Sequence, residues 1–454
     1  MLRRRQKRLG GRSESANRVR REVAGTVRKN DGVADVLDDL RWRGLIALST
    51  DLDALAAELG KGPVTLYSGF DPTAPSLHFG HLLQVLTMRR MQRAGHRPLA
   101  LVGGATGLIG DPRPTAERVL QSRDVIADWM ERLRRQIEPF LDFDGPHAAR
   151  MVNNLEWTEG VSALDFLRDV GKHFRVNKML AKEAVSARLN SDAGISYTEF
   201  SYQLLQALDF LELFQRYGCR LQTGGSDQWG NLTAGTDLIH RVTGESVHLL
   251  ATPLITDSSG EKIGKSTGGG GIWLDPEMTS PYAFYQYFIN IEDALVPQLL
   301  RMLTFLDRDE IIALEKETAD RPAARAGQRR LAEEITRVVH GEAETRQVVA
   351  ASQALFGRGS LADLTPQTLR AALAEAGIVE VRGALPAAAA LFKEAGLAAS
   401  LSEARRTAAE GGAYVNNVRI TDADAPLSAD LLLHGRYLVL RRGKRSVAGA
   451  ELIA

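Results

Sequence analysis

One stretch, Val64 to Gly104, constrains the fold more than any other. Val64-Thr65-Leu66-Tyr67-Ser68-Gly69-Phe70 is an apolar run of strand length. Asp71-Pro72-Thr73-Ala74-Pro75 follows and must be loop, because each proline removes an amide donor and restricts the residue before it. From His81, the residues Leu82, Val85 and Leu86 recur at helical spacing, and the helix should end near Gly95. Pro98-Leu99-Ala100-Leu101-Val102 then reads as a second apolar strand running into Gly103-Gly104. Strand, helix and strand at this spacing predict a βαβ unit. Its crossover should be right-handed, its sheet parallel and its ligands at the carboxyl ends of the strands. Arg220-Leu221-Gln222-Thr223-Gly224-Gly225 reads as a further strand, and residues 120–215 as mostly helical.

At 454 residues the chain is too long for one core, so two or three domains are expected. Five segments are expected: a basic extension over 1–33, an α/β domain over 34–258, a glycine-rich loop and helical domain over 259–356, a linker over 357–386, and a small final domain over 387–454. No apolar run approaches the ~20 residues of a membrane span, so a soluble protein is expected. The single cysteine, Cys219, excludes an internal disulfide and fits a cytoplasmic setting. Charge is distributed unevenly. The net charge of +1 hides +9 over residues 1–29 and +2 over 387–454, leaving −10 for residues 30–386. An acidic body with basic ends suggests anionic partners at the ends. The extension reads as a solvated arm, a start assigned too far upstream, or an organellar presequence.

Two short motifs carry chemistry. His78-Phe79-Gly80-His81 follows a strand and opens a helix, where exposed amides and the helix dipole favour anions. Gly80 leaves room for a flat ring. A zinc pair and two incidental histidines are the bland readings, and zinc would want a third ligand that the sequence does not offer nearby. Lys262-Ile263-Gly264-Lys265-Ser266, before four more glycines, is a cationic loop able to close over a triphosphate, or simply a solvated loop. A third stretch, Phe200 to Phe210, puts Tyr202, Gln206 and Asp209 on one face of a helix whose other residues are apolar. Buried polar groups need partners, so this face should line a pocket rather than form a solvated stripe.

The two motifs, about 180 residues apart around a parallel sheet, resemble the signature pair of class I aminoacyl-tRNA synthetases. The stretches Tyr67–Thr73, Gly103–Pro112, Phe200–Phe210 and Gly224–Asn231 resemble the bacterial-type tyrosyl-tRNA synthetases, and the likeness runs from residue 34 to 454. It implies an α/β Rossmann-like parallel-sheet catalytic domain, then an α-helical domain and a small α+β RNA-binding domain. It implies ATP with Mg2+ and no metal site on the protein, L-tyrosine and tRNA(Tyr) as partners, no membrane, and a homodimer with Phe166–Leu180 at the interface. Tryptophanyl-tRNA synthetase and a non-catalytic RNA-binding paralogue are the alternatives.

The resemblance also implies roles. Thr73, His78, His81, Lys262, Lys265 and Ser266 would act on the phosphates. Gly69, Asp71, Gly80, Gly225 and Asp227, with His78, His81 and Lys265, would hold ATP. Tyr67 and Asp209 would take the substrate's phenolic hydroxyl. Tyr202, Asp111 and Gln206, with Gln228 nearby, would take its ammonium group. The family often has Ser-Gly-Lys-Lys after Gly110-Asp111-Pro112. Here Arg113 to Arg118 stands instead, so Arg113 or Arg118 is the candidate for pyrophosphate. Residues 387–454 resemble the RNA-binding domain named from a small-subunit ribosomal protein, with Arg405, Arg406, Arg441, Arg442 and Lys444 as RNA candidates.

Overall fold

The βαβ stretch lies in the middle of a six-stranded sheet. The computed structural model describes residues 36–112, 119–192, 194–257, 263 and 271–453. They form two compact units. One runs to Met278 and resumes over Glu292–Gly327; the other comprises Thr279–Ile291 and Gln328–Ala454. The helical stretch expected as one domain is thus divided, with Val296–Leu303 and Arg308–Asp320 in the first unit.

In the first unit the strands are β1 (Leu48–Ser49), β2 (Thr65–Phe70), β3 (Arg97–Val102), β4 (Arg150–Asn153), β5 (Cys219–Gly225) and β6 (His248–Thr252). Their order is β1-β6-β5-β2-β3-β4, parallel throughout except for β1 against β6. This is a Rossmann-like α/β sheet. The chain steps from β2 out to β4, then returns past β2 to β5 and steps out to β6. The direction reverses between β2 and β5, and the carboxyl ends of those strands therefore flank the crevice where such sheets bind ligands. Gly69, in the centre of the sheet, is exposed, which marks the opening.

Strand β4 falls in the region read as helical. Four residues, RMVN, are too few for a period to show, and an edge strand has only one neighbour to demand it. Strand β6, HLLAT, is buried along its whole length and so lacks the alternation that marks a half-exposed strand.

Four helices position the site: α1 (Phe79–Arg93), α2 (Gly104–Ile109), α3 (Tyr197–Tyr217) and α4 (Trp229–Thr243). Helix α3 starts where Ser196 accepts from the Glu199 amide and stops at Gly218, whose φ of 62° is the left-handed turn glycine permits. Leu99, Leu101, Phe210, Leu232 and Leu249 form the core between the sheet and these helices. Cys219 is buried there, and burial pushes its thiol well above the ordinary range.

The second unit has its own mixed sheet of β7 (Ile378–Arg382), β8 (Ala413–Val415), β9 (Val418–Arg419), β10 (Tyr437–Arg442) and β11 (Ser446–Ile453), in the order β7-β11-β10-β8-β9. Strand β7 runs parallel to β11. The stretch read as a linker over 357–386 therefore holds a strand of this sheet, and also helix α5 (Pro366–Ala376). Pro366 signalled a break in the sequence, but it occupies the first helical turn behind the cap Thr365, the position where proline's missing amide costs nothing. Helix α5 packs on β11, where Gly449 lets Leu373 approach. Among the described residues no helix is long and apolar enough to cross a membrane.

Candidate active site

The crevice floor is a chain of buried polar groups. Asp209, on α3, is 2% exposed. Its Oδ1 accepts from Trp157 Nε1 at 2.8 Å and its Oδ2 from Asn154 Nδ2 at 3.0 Å. Asn154 also donates to Thr106 Oγ1 (3.0 Å) and accepts from the Ala105 amide (2.7 Å). Thr106 donates to Asp71 Oδ1 and the Tyr202 hydroxyl to Asp71 Oδ2, each at 2.6 Å. One network thus links β4's end, the start of α2, the loop after β2, and α3. Gly103 makes the junction possible, because a Cβ there would collide with the Asp71 carboxylate and the Thr106 hydroxyl.

Tyr67, from β2, stands beside this network with its ring 5.2 Å from that of Phe210. Its hydroxyl is buried and has no hydrogen-bond partner among the described residues. Burial, reinforced by Asp209, pushes the Tyr67 phenol well above its ordinary range. Burial also pushes Asp209 up to about 7, against the pull of the Asn154 and Trp157 donors, with Asp71 and Glu212 adding to the rise. A buried carboxylate and an orphaned hydroxyl side by side form a site that wants one more group able both to donate and to accept.

Toward the mouth, Asp111 accepts from Gln228 Nε2 (3.2 Å) and from Asn231 Nδ2 (3.1 Å). Gln228 and Asn231 come from the start of α4, directly after β5. Gln206 lies one helical turn from Tyr202 on α3. Asp227 is exposed at the carboxyl end of β5, where a Cβ on Gly225 would lie 2.6 Å from its Oδ1. Thr73 is exposed on the loop after β2.

The two histidines cap their own helix. His78 Nδ1 accepts from the Gly80 amide at 3.0 Å, and His81 Nδ1 accepts from the His78 amide at 3.1 Å. The rings stack with centroids 3.8 Å apart. With Nδ1 accepting, each neutral ring carries its proton on Nε2. Burial and the neighbouring His78 hold His81 well below its ordinary value, so this ring is neutral at pH 7. The ring that Gly80 admits is that of His78, whose Cε1 would lie 3.0 Å from a Cβ there. Leu77 and Phe79 exchange backbone bonds with Leu274 and Ile272, which brings the residues after the Lys262–Ser266 motif beside the first motif. Lys262, Lys265, Ser266, Arg113 and Arg118 lie outside the described residues.

Sequence reasoning missed Asn154, Trp157, Lys182 and Asn231. Asn153-Asn154 directly after an apolar pair was the available signal for the first, and the stretch Gly224–Asn231 for Asn231; Trp157 and Lys182 carry none. Among the RNA candidates, Arg441 departs from the expected basic face. It is 8% exposed, lies 3.9 Å over the Tyr414 ring and donates to Asn417 and the Gly443 carbonyl. Arg442 donates to Leu397 O and Glu403, and Arg405 pairs with Asp424. Arg406 and Lys444 are exposed.

Two family models match the chain: tRNA synthetases class I (W and Y) over residues 59–357, and the tyrosine–tRNA ligase SYY-like C-terminal domain over 371–448. A tyrosine–tRNA ligase of Streptomyces avermitilis is 63% identical over 421 residues, covering 92% of this chain and 99% of the relative. One from Mycobacterium bovis is 58% identical over 421 residues, covering 92% and 99%. The solved C-terminally truncated mitochondrial tyrosyl-tRNA synthetase of Aspergillus nidulans superposes with a TM-score of 0.64 at 29% identity, covering 76% of this chain and 99% of that one. A crevice floored by a carboxylate and a phenol at the switch point of a Rossmann-like sheet, in a chain with these relatives, places it plainly: the chain belongs to the tyrosine–tRNA ligase family of class I tRNA synthetases.

Proposed function

We infer that the chain activates L-tyrosine with ATP and transfers the tyrosyl group to the 3′-terminal ribose of tRNA(Tyr). It is an enzyme, a tyrosine–tRNA ligase. In the first step a carboxylate oxygen of tyrosine attacks the α-phosphorus of ATP and pyrophosphate leaves. In the second, a ribose hydroxyl attacks the carbonyl carbon of tyrosyl-adenylate and AMP leaves. The catalysis is positioning and charge stabilisation.

The observation that carries the tyrosine reading is the buried pair at the crevice floor. Tyr67 has an unpartnered hydroxyl, and Asp209 is oriented through both oxygens by Trp157 and Asn154. A phenol donates to the carboxylate and accepts from Tyr67. A phenylalanine ring leaves both buried groups unmet and is rejected, a rule for which this enzyme family is itself the known example. Asp111, Tyr202, Gln206 and Gln228 take the ammonium group. Gly69, Asp71, Gly80, Gly225 and Asp227 hold the nucleotide. Thr73, His78, His81, Lys262, Lys265 and Ser266 serve the phosphates, with Arg113 or Arg118 at the pyrophosphate. Magnesium arrives on the triphosphate, and no group of three or more acidic, His or Cys side chains that could hold a metal occurs among the described residues.

The protein works as a homodimer in the cytoplasm. The apolar side chains Leu164, Leu167 and Val176 are 79%, 51% and 59% exposed, and such a patch supports an interface across Phe166–Leu180. The second unit, with Arg406 and Lys444 outward, binds tRNA phosphate.

Amino-acid-dependent pyrophosphate exchange with all twenty amino acids tests the reading. Tyrosine should support exchange far above every other. Tryptophan outrunning tyrosine would overturn it.

A further inference from the structure

Lys182 precedes helix Glu183–Leu189 and serves none of the roles above. Its Nζ donates to Asn231 Oδ1 at 2.8 Å. Asn231 Nδ2 passes the contact on to Asp111 Oδ1 at 3.1 Å and to Gln228 Oε1 at 2.9 Å. Gln228 Nε2 closes the ring on Asp111 Oδ2 at 3.2 Å. The lysine stem lies against α4 where Gly230 has no side chain, and a Cβ there would come within 3.1 Å of Lys182 Cε. Lys182, joined to this ring through Asn231, carries a charge of the same sign as the substrate's ammonium.

We propose that Lys182 is a positioning residue of the amine subsite, holding Asp111 and Gln228 through Asn231, and that it gives up its proton when the substrate's ammonium docks on Asp111. The proposal rests on the reading of Asp111 and Gln228 as the ammonium's partners. Before tyrosine binds, the Asp111 carboxylate already acts on the Lys182 cation. Binding adds the substrate's ammonium to the same half-buried space, and like charges disfavour each other's protonated forms. Burial already lowers Lys182 to about 7, with Asp111 opposing the fall, so at neutral pH this amine is poised to lose its proton. Asp111 is the charge that acts on Lys182. Asn231, Gln228 and the Gly230 backbone face it from α4 without titrating, and Tyr202, whose phenol feels both Asp71 and Asp111, shares the same field. A ligand that expels a proton binds more tightly as pH rises. Tyrosine affinity therefore climbs through pH 7, by up to about tenfold per pH unit on the acid side.

Isothermal titration of the full chain, in phosphate and Tris buffers at pH 7, counts the protons. Tyrosine and tyrosinol, which both carry the amine, should each release about half a proton more than 3-(4-hydroxyphenyl)propionate, which lacks it and reports what Asp209 contributes. The Lys182→Arg variant keeps its charge and should bind tyrosine with no such excess, its affinity profile across pH 6–8 keeping only the pH dependence that the amine-free ligand shows. A purely structural lysine would leave that profile unmoved. Equal release by the amine and amine-free ligands in the native chain overturns the proposal, as does an undiminished excess in Lys182→Arg. The Asp111→Asn variant separates the two layers. If it binds tyrosine like the native chain, the subsite reading falls; if it loses affinity while the native chain releases no excess proton, only the role of Lys182 falls.

Discussion

The crevice holds two aspartates that, on the function proposed above, take opposite ends of one small molecule, and their surroundings differ sharply. Asp209 is buried at the floor, fixed by an indole and an amide, and raised to about 7. Asp111 stands half-exposed near the mouth among Gln228, Asn231 and Lys182. On that reading the same functional group performs two kinds of recognition. The floor selects through desolvation, since any ligand without a hydroxyl strands groups that water cannot reach. The mouth attracts through charge, which any ammonium satisfies, and so contributes affinity without choosing among amino acids. Selectivity and affinity are thereby assigned to separate carboxylates.

That separation can be broken experimentally, beginning with the largest effect. Because the fold raises Asp209 from 3.8 to about 7, its proton is held in the native state and lost from the unfolded chain over that interval. Its stabilising contribution is complete below pH 3.8 and disappears as pH rises through 7. Denaturant titrations should show the native chain losing about 4 kcal/mol relative to Asp209→Asn between pH 4 and 7. Parallel curves would mean the carboxyl is ionised throughout. Next, Asp209→Asn should lower discrimination of tyrosine over phenylalanine about a hundredfold in pyrophosphate exchange, since about 3 kcal/mol attaches to a hydrogen bond with a buried charged group. Retained discrimination would move specificity elsewhere. The mouth should behave in the opposite way. Asp111→Asn should raise the tyrosine KM about thirtyfold while discrimination against phenylalanine stays put. A matching fall in discrimination would show that the two ends do not divide the work. Last, Trp157→Phe keeps the ring but removes the donor to Asp209, and discrimination should drop about tenfold. No change there would make the indole bond incidental.

How legible this was in the sequence depends on chain distance. Tyr202, Gln206 and Asp209 declare themselves because one helical period carries all three. The histidine motif and the β2–α1–β3 order are equally local. Asn154 and Trp157 reach Asp209 from positions 55 and 52 residues away, just past a strand too short to show a period. Lys182 meets Asn231 across 49 residues. Such contacts are written in the sheet order, which brings β4 and β5 to opposite sides of β2, and no window of sequence contains them. Arg441 fails for a different reason. Within the run Arg441-Arg442-Gly443-Lys444 its charge suggested solvent, but β10 is buried from Tyr437 through Arg441, and the register sets Arg441 opposite Tyr414, over whose ring it lies.

The reciprocal histidine cap divides each imidazole into two halves with separate duties. The Nδ1 side of His78 and of His81 is engaged by α1's first turn, so on the proposed function Nε2–H is the half that each would turn to the nucleotide. Asparagine reaches about as far as Nδ1, and glutamine about as far as Nε2. The pair of replacements therefore works as a scalpel, with one preserving the helix start while silencing the outward donor and the other doing the reverse.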